Sequence, residues 1–250
     1  MTENIAFDFF LRMLLGHLVG DFVFQTYKMA MAKRAGWRGL FIHVSIVTFT
    51  TAVAIYNTVP NWYIWVIVLF VVHLSIDQFR TFIFTDNSNG KGLLLFIADQ
   101  TVHILSIMAI SWFAVGWRFT DLAQISHPAL PPMHIMILLA CIVIIAVWAT
   151  PILEVELATA IMSLRHTSTE TMIPVRPSDR LMGGMERLVS LGLIIISWGL
   201  FIPLVFLPRL YWLHQENRSS DKTMIYAKTI TSFCIAILLS LPIWFQRLVF

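Results

Sequence analysis

Seven ionisable residues interrupt apolar stretches in the first half of the chain, and their types are those of metal ligands and proton carriers: His17, Asp21, His43, His73, Asp77, Asp99 and His103. Six of them form i, i+4 pairs, His17 with Asp21, His73 with Asp77 and Asp99 with His103, which places an imidazole and a carboxylate on one face of each helix. Charge inside a bilayer costs about 2.5 to 3.5 kcal/mol per Asp or Lys on insertion scales, so function is the default reason for it. Four imidazoles and three carboxylates suit a divalent transition metal, zinc, manganese or iron, as one ion or two. If the carboxylates orient histidines instead of touching metal, a single ion is an equal reading. Bound metal polarises a phosphoryl or carbonyl oxygen and acidifies water, which points to hydrolysis or group transfer with Asp21, Asp77 and Asp99 as the catalytic carboxylates.

The elements that must position these residues are apolar helices. Of 250 residues, 58% are hydrophobic and only 12% charged, with a mean hydropathy of +0.79, far from the charged quarter of a soluble domain. The expected fold is an all-α polytopic membrane bundle, read as one integral membrane domain over 1–250. Stretches near 20 apolar residues fall at Ile5 to Tyr27, Leu40 to Tyr56, Trp62 to Phe79, Leu93 to Val115, Met133 to Ala149, Leu181 to Leu207 and Met224 to Phe245. Seven spans follow: a four-helix, His/Asp-bearing half (1–116) and a three-helix supporting half (131–250). Ile152 to Leu164, with Glu154 and Glu156, is expected to extend the fifth helix past Pro151. Those two glutamates point to different sides, so at most one faces a site. Loops are marked by Asn57 to Asn61, Asp86 to Gly90, Pro128 to Pro132 and Pro174 to Ser178. The acidic start Met-Thr-Glu-Asn lacks the basic region and cleavage site of a secretory signal, so the first helix is expected to be retained.

Orientation follows from Lys and Arg. With the N-terminus outside and the C-terminus cytoplasmic, the inside receives Lys28, Lys33, Arg34, Arg38, Arg80, Lys91, Arg165, Arg176, Arg180 and Arg247, against Arg118, Arg209, Arg218 and Lys222 outside. At about 1.5 Å per residue all seven His/Asp residues then occupy one layer, roughly 5 to 16 Å below the cytoplasmic surface. His17, Asp21, Gln25 and Lys28 continue one helix face toward that surface as a polar stripe, and Gly16 with Gly20 lets a neighbouring helix approach closely. Gln78 and Gln100 add amides at the same depth. Gln25, Lys28, Arg80 and Gln100 are the candidate substrate-binding residues, and the basic mouth suits an anionic head group.

Simpler roles compete with these. A single intramembrane histidine such as His43 is commonly an interhelical hydrogen bond, and Lys33, Arg34 and Arg38 read first as topology signals. Arg12 pairs with Asp8 one turn earlier, and Glu186 with Arg187 reads as an ion pair or interfacial anchor. His127, His134, His166 and His214 fall in loops or span ends, where exposure explains them. Trp62, Trp65, Trp112 and Trp117 read as interfacial belt residues. Cys141 and Cys234 lie mid-helix as small hydrophobes and offer no disulfide framework. Nucleic-acid binding is not indicated, since the basic residues cluster at segment ends.

The series His17-Leu-Val-Gly-Asp21-Phe-Val-Phe-Gln25, the basic loop after it, His43, His73-Leu-Ser-Ile-Asp77 and Asp99-Gln100-Thr-Val-His103 resembles a bacterial membrane family catalogued as domain of unknown function 3307. Asp179-Arg180-Leu-Met-Gly183-Gly-Met-Glu186-Arg187 is similar to that family's glycine and Glu-Arg element, and Thr229 to Ser240 loosely matches its final segment. Arg80 departs from the lysine expected there. The resemblance implies a multi-pass protein of the bacterial cytoplasmic membrane and supplies no activity. The leading expectation is a metal-dependent hydrolase or transferase acting on a lipid-linked or amphipathic anionic substrate. A proton- or ion-coupled transporter using the same residues as a relay, a structural or signalling membrane protein, and haem ligation are the alternatives.

Overall fold

The computed structural model describes residues 2–83, 91–116, 132–164, 177–209, 211 and 219–248, and among these there is helix but no strand. The expected loops at 86–90, most of 128–132 and 174–176, with Trp117, Arg118, His127, Arg165, His166, Arg176, His214 and Arg218, lie outside the described residues. In order the helices are α1 (Thr2–Leu18), α2 (Tyr27–Ala35), α3 (Trp37–Ala54), α4 (Trp62–Gln78), α5 (Lys91–Val115), α6 (Pro132–Ile144), α7 (Thr150–Leu164), α8 (Pro177–Ile195), α9 (Ile202–Val205) and α10 (Ser219–Leu248). Three π-helical turns extend or join them: Val19–Val23 after α1, Phe79–Ile83 after α4 and Ile145–Ala149 between α6 and α7. The chain divides into two compact units, Met1–Thr85 with Ile97–Ile144, and Asp86–Phe96 with Ile145–Phe250.

Among the described residues four helices are long and apolar enough to cross a membrane: Trp37–Ala54, Trp62–Phe82, Lys91–Val115 and Pro132–Ile161. Their outward faces expose large apolar side chains, among them Phe49, Ile67, Leu94 and Phe113, a distribution that suits lipid and not water. These helices support four of the seven expected spans, the second to the fifth, among the described residues. The first helix is diluted by Glu3, Asp8 and Arg12 and stops after Val23, where Phe24 to Thr26 turn and Thr26 caps α2 by accepting from the Met29 amide at 3.3 Å. The expected sixth span breaks at Ile196 to Trp198, with Ser197 in the left-handed region at φ 65°.

The fifth helix does run on past Pro151, as its sequence suggests. Proline lacks the N–H that an α-helical ladder needs. The preceding π-helical turn absorbs the interruption, and Thr150 Oγ1 donates to the Ile145 carbonyl at 2.8 Å. Asn57 and Asn61, at φ 56° and 55°, shape the turn into α4, a conformation that asparagine tolerates better than most residues.

In the first unit Phe9 and Met13 of α1, Ile55 and Val59 beyond α3, Leu69 of α4, and Ile107 and Ile110 of α5 form one buried apolar cluster. Trp62 and Trp65 pack partly against it, so these two belong to the core edge as well as to any interfacial belt. Gly16 and Gly20 are the close-approach pair the sequence suggested, and α3 is the partner. A Cβ at either would overlap the backbone of Thr51 or Val47, and Thr50 Oγ1 donates to the Gly16 carbonyl at 2.7 Å. Arg12 bonds Asp8 at 2.8 Å as its spacing implied. His134 corrects an expectation: it is buried, with Nε2 3.0 Å from Asp8 Oδ1, because α6 lies against α1.

Candidate functional site

In the first unit, α1, α3, α4 and α5 bring His17, Asp21, His43, His73, Asp77 and His103 into one buried layer. The π-helical turn after α1 carries Asp21, and the close α1/α3 approach at the two glycines brings it to His43 of α3. His43 Nε2 lies 3.1 Å from Asp21 Oδ1 and 3.2 Å from Asp77 Oδ2. His73 Nε2 is 3.3 Å from Asp77 Oδ2, His17 Nε2 is 3.7 Å from Asp21 Oδ2, and His103 Nε2 is 4.0 Å from Asp77 Oδ1. The imidazoles crowd together, with ring centres 4.4 Å apart for His73 and His103 and 5.1 Å for His17 and His103.

Proximity here is not hydrogen bonding. Among the described residues both ring nitrogens of His17, His43 and His73, together with His103 Nε2 and Asp77 Oδ2, are buried without an aligned hydrogen-bond partner. Leaving buried polar atoms unmet is costly, and lone pairs aimed at a common volume are what a cation site requires. Two sets bring one ligand atom each to within 4.8 Å of one another: Asp21, His43 and His73, and His73, Asp77 and His103. A neutral imidazole offers one lone pair, so the sets compete for His73. His103 Nδ1 sits 2.9 Å from the Asp99 carbonyl, which only accepts. The proton must therefore lie on Nδ1, leaving Nε2 with its lone pair toward the layer.

Asp99 stands at the edge. Its Oδ1 is 3.8 Å from His103 Nδ1, and Gln100 Nε2 donates to its Oδ2 at 3.2 Å and to Asp21 Oδ2 at 3.5 Å. Gln100 thus joins two of the carboxylates. The expected stripe past Asp21 does not continue: the chain leaves the helix at Phe24, so Gln25 is half-buried with Oε1 unpartnered and Lys28 is exposed on α2. Arg80 is half-buried on the π-helical turn after α4.

Lys33, a topology signal by its position in the sequence, has a further role in the structure. Its Nζ donates to Asp77 Oδ1 at 2.7 Å from a side chain 14% exposed. The placement comes from Gly39, where any Cβ would strike the Ala32 carbonyl, so that α2 folds flat against α3. Gly36, at the junction of α2 and α3, and Gly39, in the first turn of α3, were the signal for it.

The second unit holds a separate polar cluster. Glu186 and Arg187, expected to pair with each other, are consecutive on α8 and point to different partners. Arg187 is wholly buried and bonds Glu154 Oε1 at 2.6 Å and Ser232 at 2.7 Å. Glu186 instead binds Arg209, at 3.0 Å to Nε and 2.7 Å to Nη2. Arg209 therefore cannot mark the opposite membrane face from Glu186. Cys141 is buried and Cys234 exposed.

Residues 9–130 match the model of a family described as protein of unknown function (DUF3307). Just under half of the chain is therefore similar to the DUF3307 family. That match contains all seven His/Asp residues and Lys33, and it stops short of the Glu154/Arg187 cluster. No curated protein and no solved structure matches the chain.

Proposed function

We propose that the His/Asp layer of the DUF3307-like region binds one divalent transition metal, zinc, manganese or iron, and that the protein is a membrane hydrolase or transferase acting on a lipid-linked or amphipathic anionic substrate. The observation that carries the reading is the convergence of buried, unpartnered nitrogen and oxygen atoms from four helices. Charge supports one ion over two. Three carboxylates and the Lys33 ammonium, with neutral imidazoles, leave a formal charge of two minus, which a single divalent cation balances. Asp21, His43 and His73, or His73, Asp77 and His103, would hold it.

When bound, such an ion supplies a Lewis acid and an acidified water. The protein's own groups do the rest. Asp99, at the rim and joined through Gln100 to Asp21, is placed to accept a proton. Lys33 orients Asp77 through its ammonium, and the half-buried Arg80 with the exposed Lys28 offers positive charge to an anionic head group. The basic run Lys28 to Arg38, ahead of the membrane-length α3, favours a mouth on the cytoplasmic side in a multi-pass arrangement in a bacterial cytoplasmic membrane.

One observation favours a second reading. Lys33, Asp77, His43 and Asp21 stand 2.7, 3.2 and 3.1 Å apart in turn, near enough to pass a proton once His43 aligns with its two carboxylates, as in an ion-coupled transporter. Elemental analysis of the purified full chain separates the two. About one zinc, manganese or iron ion per chain, lost in His73→Ala, supports the metal site. Folded, metal-free protein that takes up none on reconstitution and carries protons in vesicles overturns the enzyme reading in favour of the relay.

A further inference from the structure

Hydrogen-bond accounting gives the second unit's buried cluster a sign. Arg187 donates from Nε to the Ala146 carbonyl at 2.5 Å and from Nη1 to Glu154 and Ser232. Arg209, 7% exposed, is gripped by both oxygens of Glu186. Among the described residues each guanidinium still keeps one terminal nitrogen buried and without a partner, Arg187 Nη2 and Arg209 Nη1. Each such nitrogen carries two N–H groups. The Ser190 hydroxyl, also wholly buried, is unpartnered too, and Gly183, Arg187 and Ser190 share one face of α8 by their spacing of four and three.

Gly183 is where the two cations meet. Arg209 Nη2 and both terminal nitrogens of Arg187 lie 2.8 to 3.3 Å from the point where a Cβ at that position would stand. The acceptor side is nearly spent: Glu154 Oε1 is used twice. Glu186 Oε2, although 2.7 Å from Arg209 Nη2, is the only buried acceptor of these two ion pairs that lacks an aligned bond among the described residues. Unmet donors thus outnumber unmet acceptors, and buried N–H groups of this kind call for an oxygen-rich ligand.

We propose that Arg187, Arg209 and Ser190 form an oxyanion site that takes a phosphate group, with Gly183 kept bare so that both guanidiniums can reach it. Planar guanidinium forks suit phosphate oxygens better than any other cationic side chain. The phosphate has two sources, free inorganic phosphate or a lipid head group. Nothing in this site depends on the metal layer.

The test uses the full chain in a neutral detergent, titrated with sodium phosphate at constant ionic strength held by sodium chloride, with melting temperature as the readout. A saturable rise is expected that chloride alone does not give. Arg209→Lys keeps a charge for Glu186 but removes the fork, and should raise the half-saturating concentration at least about tenfold. Ser190→Ala should raise it about threefold, and His73→Ala should leave it unchanged. A second arm replaces phosphate with short-chain phosphatidic acid. Saturation at lower concentration than phosphate assigns the site to a lipid head group and the reverse assigns it to the free ion, either result supporting the site. No saturable rise with either probe, or a rise that Ser190→Ala leaves unmoved, overturns the proposal. So does loss of the effect in His73→Ala, which would place the anion at the metal layer. If Arg209→Lys does not fold, Ser190→Ala decides alone, because its hydroxyl makes no bond whose loss would unfold the unit.

Discussion

Both units bury polar groups in apolar surroundings, and they do it with opposite hydrogen-bond balances. In the His/Asp layer the unmet atoms are mainly ring nitrogens and carboxylate oxygens. In the Arg/Glu cluster they are mainly N–H and O–H groups on Arg187, Arg209 and Ser190. Burial costs both regions alike, so burial alone says little about function. The sign of the imbalance says more: surplus lone pairs ask for a cation and surplus protons ask for an anion. The two regions also differ in how their charges are paired. Arg187 is tied by bonds of 2.6 and 2.7 Å to Glu154 and Ser232, whereas His43 stands near two carboxylates and is aligned with neither.

That contrast is broken or sharpened by substitution. The largest effect is expected for Arg187→Met, which leaves Glu154 buried and unpaired and should cost about 3 to 5 kcal/mol of stability. The companion Arg187→Met/Glu154→Leu should recover much of it in chemical denaturation. If the single variant is as stable as the parent, the cluster is not a tightly paired one. His73→Ala removes the ligand common to both triads and should lower metal affinity by about a hundredfold or more, the scale of losing one ligand and its orientation. Equilibrium dialysis against zinc reads this, and unchanged uptake would mean that the triads are not the site. Lys33→Met goes the other way. Without the ammonium the layer gains a negative charge, and each 1.4 kcal/mol of repulsion removed raises affinity about tenfold; an unchanged or weaker affinity would show that Lys33 does not compete with metal. Metal binding needs neutral imidazoles and releases protons, so uptake should fall as the solution is acidified, read by equilibrium dialysis across a pH series. The smallest change belongs to Thr50→Val, which loses the bond to the Gly16 carbonyl and should cost about 1 kcal/mol in a thermal melt.

Much of the first unit was legible in the sequence. Three i, i+4 pairs and His43 announced the layer because helical spacing fixes which side chains share a face, and Gly16 with Gly20 announced the α1/α3 contact because only glycine permits that approach. What hydropathy could not supply was where helices stop being membrane spans. Leu181 to Leu207 is apolar enough to read as one segment, yet Ser197 turns the chain and Arg209 comes back to Glu186. The partners of Lys33 and His134 were hidden for a related reason. The spacing of these two residues within their own helices is uninformative, and their partners, Asp77 and Asp8, lie 44 and 126 residues away in sequence. Neighbouring residues on one helix look like a pair, as Glu186 and Arg187 do, even when the helix sends them to different partners.

The π-helical turn at Ile145–Ala149 carries a further consequence. Such a turn accommodates about one residue more than an α-helical path, and one residue corresponds to about 100° of rotation for everything downstream. It is this added angle that turns Glu154, and not Leu153 or Val155, toward Arg187, while the loosened ladder leaves the Ala146 carbonyl able to accept from Arg187 Nε. Excising a single residue from Ile145–Ala149 would let the turn relax to a regular α-helix with Glu154 still facing Arg187, whereas a regular α-helix through every residue present would carry Glu154 about 100° away and dismantle the cluster. The arrangement is stored in a count of residues as much as in their identities.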